Sequence, residues 1–314
     1  MTALSRSLQE YLALRRALGT QLRSAEVHLR RFVEFADRTG SEVITIDLAL
    51  RWATAPGRAS AAIRAIRIGN VCRFAAWLSA IDPRTEIPPK DLMPIRYQRK
   101  PPYIYSDQEI ACILGEAARL ASRSGLRALT FTTLFGLLAV TGLRVSEALG
   151  LDLDDVDLEG GVLTVRHAKF GKSRFVPLHD STCVALRRYM KRRNRLLPRP
   201  TTSAFFIAER GTRVTIKSAD HNFAVVSMAV GLRPPTEAYR WGRGPRLHDM
   251  RHRLAVRTLV RWYREGKDVD RELPKLTTFL GHTHIADTYW YFEAVPELLQ
   301  LASERATRSR EGSL

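Results

Sequence analysis

Within residues 247–291, two histidines, an arginine and a tyrosine follow one another in an order that suits one reaction, the opening of a phosphodiester by a protein hydroxyl. A phosphodiester carries a full negative charge, which repels nucleophiles. Cationic donors must hold its non-bridging oxygens and absorb the charge of the transition state. Arginine suits this task because its planar fork is always charged and binds two oxygens at once. His248 and Arg251 are spaced i, i+3, so on a helix they share a face and one phosphate could meet both. Tyr291 offers a phenol with an ordinary pKa of about 10, which attacks only with help from a base or a strong positive field. A histidine titrates near neutrality and can supply that help. The plain alternatives are a solvated His-x-x-Arg pair and an aromatic core cluster at Tyr289-Trp290-Tyr291-Phe292. The rest of the chain has to decide between them.

Several elements could position these groups. Residues 126–138 are apolar on nearly all sides and read as a buried helix. They lead into Thr141-Gly142-Leu143-Arg144-Val145-Ser146-Glu147, where a turn at Gly142 delivers Arg144 to the start of the next helix. Glu147 lies i, i+3 from Arg144 and could hold its guanidinium, or form a simple intrahelical ion pair. Residues 162–166 and 174–178 read as two strands flanking a turn at 168–172, a hairpin with lysine at its tip. Such a lysine could reach into a groove and protonate a leaving oxygen, or merely solubilise the tip. A basic helix is expected over 182–194, a short strand at Phe205-Phe206-Ile207, a helix over 214–230, and an arginine-rich loop over 231–246. Pro296 is well placed to open a last helix with Leu298, Leu299 and Leu301 as its apolar stripe.

The 314 residues suffice for about two domains. Residues 1–93 read as all-helical, with arginines between apolar positions, and a small bundle with a basic face is a plausible DNA clamp. Residues 94–105, with Pro94, Pro101, Pro102, Arg96, Arg99 and Lys100, read as an extended basic linker. Ser106-Asp107-Gln108-Glu109 then reads as a capping box that opens a second domain over 106–314. The formal net charge is +18, which implies a polyanionic partner, nucleic acid first among them. Cys72, Cys112 and Cys183 are scattered, as expected of reduced thiols in a cytosolic protein. No signal peptide is recognisable, and the longest apolar run, around 131–140, is too short to span a membrane.

Together these residues resemble the tyrosine recombinase (phage integrase) family. The resemblance rests on Thr-Gly-Leu-Arg-Val-Ser-Glu-Ala-Leu at 141–149, Lys-Phe-Gly-Lys-Ser-Arg-Phe-Val-Pro-Leu at 169–178, Leu-His-Asp-Met-Arg-His at 247–252, Leu-Gly-His at 280–282, and a tyrosine nine positions after that histidine. It covers residues 107–295, with a looser fit before them. It implies a mainly α fold with a small antiparallel β-sheet: an N-terminal helical, SAM-like core-binding domain followed by a mixed α+β catalytic domain. It also implies a site-specific recombinase that cleaves and rejoins double-stranded DNA through a 3′-phosphotyrosine link, for integration, excision or transposition. By matching position, Arg144 and Arg251 would clamp the scissile phosphate and Lys169 (rather than Lys172) would protonate the departing 5′ oxygen. His248 would assist proton transfer, His282 would hydrogen-bond the phosphate, Glu147 would support Arg144 and Tyr291 would attack. The energy of the broken bond is kept in the covalent link, so neither metal nor other cofactor is implied. The expected assembly is a homo-tetramer on DNA or a hetero-tetramer with a partner recombinase, in the cytoplasm at the nucleoid. The terminal helix would dock on a neighbouring protomer or on its own domain.

Four other readings compete. Tyr289 is a rival nucleophile, but two helical residues are about 200° apart, so Tyr289 and Tyr291 cannot both face one phosphate. A type IB topoisomerase would use the same residues without pairing sites. An inactive DNA-binding accessory protein would have no use for the complete set. A metal-dependent hydrolase could use His248, His252, His282 and His284, since His248 and His252 have metal-ligand spacing, but no carboxylate accompanies them in the expected way and the arginines would repel a cation.

Overall fold

The structure, a computed structural model, describes residues 2–20, 22–55, 60–89, 92–93, 102–166, 173–234, 244–282 and 284–311. It divides into two compact units, Met1–Lys100 and Pro101–Leu314.

Among its described residues the first unit holds four helices: α1 (Ala3–Ala17), α2 (Arg23–Arg38), α3 (Ile46–Thr54) and α4 (Ala61–Leu78). Three of them begin where a hydroxyl can accept from an orphan backbone N–H: Thr2 from Ser5, Thr45 from Leu48 and Ser60 from Ile63. Their inner faces bring Leu8, Leu12, Phe32, Phe74 and Leu78 into one core. Tyr11 meets Phe74 at 5.3 Å between ring centroids, and Phe32 meets the edge of Trp52 at the same distance. Each such side chain contributes about 1.5–3 kcal/mol by leaving water. Arginines occupy the outer faces, Arg67 lying over the Trp52 ring.

The second unit opens with α5 (Asp107–Ala117). The Ser106 hydroxyl accepts from the Glu109 N–H while the Glu109 carboxylate accepts from the Ser106 N–H. Then come α6 (Leu126–Thr141) and the short α7 (Val145–Gly150). Helix α6 is central and packs against α5, and also against α8 (Asp180–Leu196) and α10 (Leu247–Arg264). Phe131, Leu134, Phe135, Leu137 and Leu138 are all buried, as expected of a helix apolar all round. Among the described residues the sheet has three antiparallel strands in the order β1 (Val156–Asp157), β2 (Val162–Val165) and β3 (Arg174–Pro177), with Leu163 opposite Val176 and Val165 opposite Arg174. The expected hairpin is therefore present, with β1 added on its outer side. Its tip, including Lys169 and Lys172, lies outside the described residues, as do positions 94–101 of the Pro-rich stretch and 235–243 of the arginine-rich loop.

Residues 205–207 do not form the expected strand; isolated bridges occur at Asp152–Ala204 and Ile207–Arg213. Phe205, Phe206 and Ile207 are all fully buried, so their side chains do not alternate between a dry and a wet face. Helix α9 (Ile216–Ala229) packs against α5 and α7. The last three helices, α11 (Val269–Leu280), α12 (Ala286–Ala294) and α13 (Pro296–Glu311), gather on α10. Leu259, Leu273, Leu280, Tyr291 and Leu298 share one core there, so α13 docks on its own chain.

Candidate active site

Gly142 ends α6 in the left-handed conformation, with φ +59°, which turns the chain so that Arg144 becomes the residue ahead of α7. Glu147, one turn on, accepts from the Arg144 N–H at 2.9 Å and from Arg144 Nη1 at 2.7 Å. Arg144 Nη2 donates to the Gly281 carbonyl at 3.1 Å, across 137 residues of sequence. The guanidinium is thus held on two sides and still has a quarter of its side-chain surface open.

Arg251 is 1% exposed and makes no ion pair with a carboxylate among the described residues. Its Nη1 donates to the Gly142 carbonyl at 2.9 Å and its Nη2 to the Leu280 carbonyl. Burial, and then the neighbouring charge of Arg144, bring its pKa down to about 10. At neutral pH it therefore remains a cation, anchored by carbonyl dipoles rather than by an opposing charge.

An arginine outside the set named from sequence completes this cluster. Arg174, at the start of β3, donates to both Glu147 oxygens, at 3.1 and 2.8 Å, and from Nε to the Phe279 carbonyl at 3.0 Å. Burial alone would push the Glu147 carboxyl up. The Arg174 hydrogen bond, the Arg144 N–H, the Arg174 charge and the Arg144 guanidinium hydrogen bond outweigh it and hold the pKa at about 2. Two guanidiniums share this one carboxylate and a third, that of Arg251, lies within reach of their charge, which leaves a strongly positive site suited to an anion. The only sequence signal for Arg174 is its place in the Lys-Ser-Arg-Phe-Val-Pro run after the hairpin tip. A groove of about 690 Å³ lined by Arg144, Glu147, Asp155, Thr164 and Arg166 runs from the cluster to the base of that hairpin.

His282 follows Gly281, whose φ of +66° ends α11. Its Nδ1 lies 2.8 Å from Thr288 Oγ1, which lies 3.1 Å from Thr277 Oγ1, so the imidazole is tied to α11 and α12 together. The His282 and Tyr291 rings are roughly parallel, at 23° and 6.5 Å. Tyr291 is 1% exposed, whereas Tyr289 is 44% exposed and packs against Phe292 at 5.9 Å. His248 is exposed in the first turn of α10 and meets His252 edge to face at 4.7 Å. The contact that sequence reasoning missed is at His252, whose Nδ1 lies 3.0 Å from the Tyr291 hydroxyl. Helical spacing pairs His252 with His248 but carries no information about a partner 39 residues away. Among the described residues, no group of three or more histidines, cysteines or acids is placed to hold a metal ion. Nor is any helix among them long and apolar enough to cross a membrane.

Residues 107–297 match the description of the phage integrase family. The chain belongs to the phage integrase family. The integrase/recombinase y4rB of Sinorhizobium fredii is 44% identical over 315 residues, covering 99% of each chain. The tyrosine recombinase XerC of Mycobacterium bovis is 29% identical over 319 residues, covering 98% of this chain and 99% of its own. In fold, the chain resembles the Tn1549 transposon integrase in complex with transposon right end DNA, at a TM-score of 0.66 and 17% identity, over 97% of this chain and 99% of that one. The family is that of the tyrosine recombinases, enzymes of site-specific DNA cleavage and rejoining, and this chain is one of them.

Proposed function

We propose that this recombinase holds the scissile phosphate of double-stranded DNA between Arg144 and Arg251, with His282 as a further donor, and attacks it with Tyr291. The phenol oxygen bonds to phosphorus as the bond to the 5′ oxygen breaks. The product is a 3′-phosphotyrosine link and a free 5′ hydroxyl, and a hydroxyl from a partner strand reverses the step. Lys169, in the sequence between β2 and β3, is assigned the protonation of the departing oxygen. His248 assists proton transfer at the tyrosine and Glu147 fixes Arg144. The observation that carries this reading is the meeting of Tyr291 with His252, His282 and the charge of Arg251, from three separate stretches of the chain.

The first unit, with arginines on the outer faces of α2 and α4, is assigned as a DNA clamp, and the second as the catalytic domain. Assembly is assigned as a tetramer on the DNA, of this chain alone or with a partner recombinase, in integration, excision or transposition. Lambda integrase offers a parallel, having been captured as a dimer bound to a COC′ core site.

The test is trapping on nicked DNA. Duplexes tiling the flanks of the locus that encodes the chain, nicked near candidate cleavage points, are incubated with wild type and Tyr291→Phe in EDTA and run on a denaturing protein gel. A covalent adduct with wild type alone is expected. An adduct that persists in Tyr291→Phe sinks the assignment of the nucleophile and points to Tyr289. Tight binding without any adduct sinks the enzymatic reading for this chain acting alone.

A further inference from the structure

Tyr291 is almost fully buried, so its hydroxyl cannot search freely for a phosphate; its direction is set from within the site. His252 is the group in position to set it. Its Nδ1 lies 3.0 Å from the hydroxyl, and the residue as a whole is 6% exposed. The ring is confined by its neighbours, with His248 edge-on at 4.7 Å, and Trp290 and Tyr291 each at 5.5 Å. His252 also follows Arg251 directly in α10. The arginine assigned to the phosphate and the histidine on the tyrosine are therefore adjacent residues of one rigid helix, about 100° apart around its axis. A shift of α10 moves both together.

We propose that His252 is a positioning residue for strand cleavage: its Nδ1 fixes the Tyr291 hydroxyl relative to the phosphate held by Arg251. The inference rests on the reading of Tyr291 as the nucleophile. A phenol C–O bond rotates easily and an aromatic ring rocks in its cavity. A hydrogen bond between the hydroxyl and a confined imidazole removes both freedoms and leaves the oxygen in one place. Reaction rates are steep in such placement, a misplacement of about 1 Å costing on the order of 100-fold. If His252 only filled space between α10 and α12, any polar side chain of similar bulk would serve.

Two amides separate these cases. Asparagine carries its terminal polar atoms about where Nδ1 sits, whereas glutamine carries them further out. Adduct formation is measured in single turnover on the same nicked duplexes, counting only DNA-bound protein, for wild type, Tyr291→Phe, His252→Asn, His252→Gln and His252→Ala. The expected result is His252→Asn within about 10-fold of wild type, and His252→Gln and His252→Ala slower by about 100-fold, with DNA affinity unchanged in all three. If the glutamine and alanine variants fail to fold, the asparagine variant decides alone: a rate near wild type supports the role, and a 100-fold loss removes it. Equal rates in all the His252 variants, with Tyr291→Phe inactive, overturn the role of His252 and leave the nucleophile standing. Faster adducts in His252→Ala would mean that the bond stows the tyrosine, which also overturns the proposal. An adduct in Tyr291→Phe overturns both readings together.

Discussion

The economy of the site lies in one carboxylate. Glu147 receives hydrogen bonds from Arg144 and Arg174 and is 6% exposed, so both guanidiniums depend on it for orientation. Removing one partner of a buried pair leaves the other charge without compensation, typically costing about 3–5 kcal/mol. Arg174→Ala is therefore expected to lower the unfolding free energy by about that amount in urea titrations. Arg174→Lys should recover only part of it, because a single ammonium cannot bond both Glu147 oxygens and the Phe279 carbonyl together. The same carboxylate sets an acid limit. Its folded pKa of about 2 lies below its ordinary 4.5, so its contribution to stability is fully present above pH 4.5 and is lost as pH falls toward 2. Thermal melts should show Glu147→Gln losing stability relative to wild type at neutral pH, with the two converging below pH 3. A difference that is independent of pH would remove the ion pairs from the explanation.

At the scale of elements, the ends of helices carry the site. Helix α6 ends at Gly142 and α11 at Gly281, and the carbonyls of Gly142, Leu280 and Gly281 receive the donors of Arg251 and Arg144. These are the carbonyls that a helix C-terminus leaves without intrahelical partners. Gly281 is constrained twice: its φ is +66°, and a Cβ there would lie 2.7 Å from Arg174 Nη1. Gly281→Ala is expected to cost about 1–2 kcal/mol for the left-handed backbone alone. It should also slow adduct formation more than the lost stability explains, because Arg174 and His282 must shift; single-turnover trapping at a temperature where the variant is folded checks this. Helix α8 shows how an element departs from its composition. Of its run of arginines, Arg193 is 1% exposed and donates to the Ala204 carbonyl at 2.7 Å, and Arg187 donates to the Leu158 carbonyl at 2.6 Å. Those two hold loops in place, so the helix is less of an anion-binding face than its sequence suggests.

For the whole molecule, the governing quantity is a net charge of +18 spread over two units that each have a core of their own. Binding to a polyanion with such a surface is driven largely by release of counterions and weakens steeply with salt. DNA affinity is expected to fall by about 1,000-fold or more between 50 and 200 mM salt, as for proteins that contact six or more phosphates. Fluorescence anisotropy on a long duplex measures it; a nearly flat salt dependence would mean that the basic faces of α2 and α4 do not touch the backbone.

Much of this was legible in the residues themselves. The capping box at Ser106 and Glu109, the turn at Gly142 ahead of Arg144 and the hairpin around 162–178 are local patterns, set by neighbours within a few positions. Periodicity also placed Tyr289 and Tyr291 on opposite faces of their helix. Membership of the family followed from residue types in order. What periodicity does not contain is which face meets which partner. That Tyr291 turns inward, that His252 stands at its hydroxyl 39 residues away and that Arg174 crosses 27 residues to Glu147 were decided by packing. So was the anchoring of Arg251, because its partners are backbone carbonyls, which every residue carries and no sequence pattern marks. The consecutive Phe205, Phe206 and Ile207 suggested a strand for a related reason. An apolar run announces burial, but only the space around it determines whether it is buried as a strand or as an irregular plug.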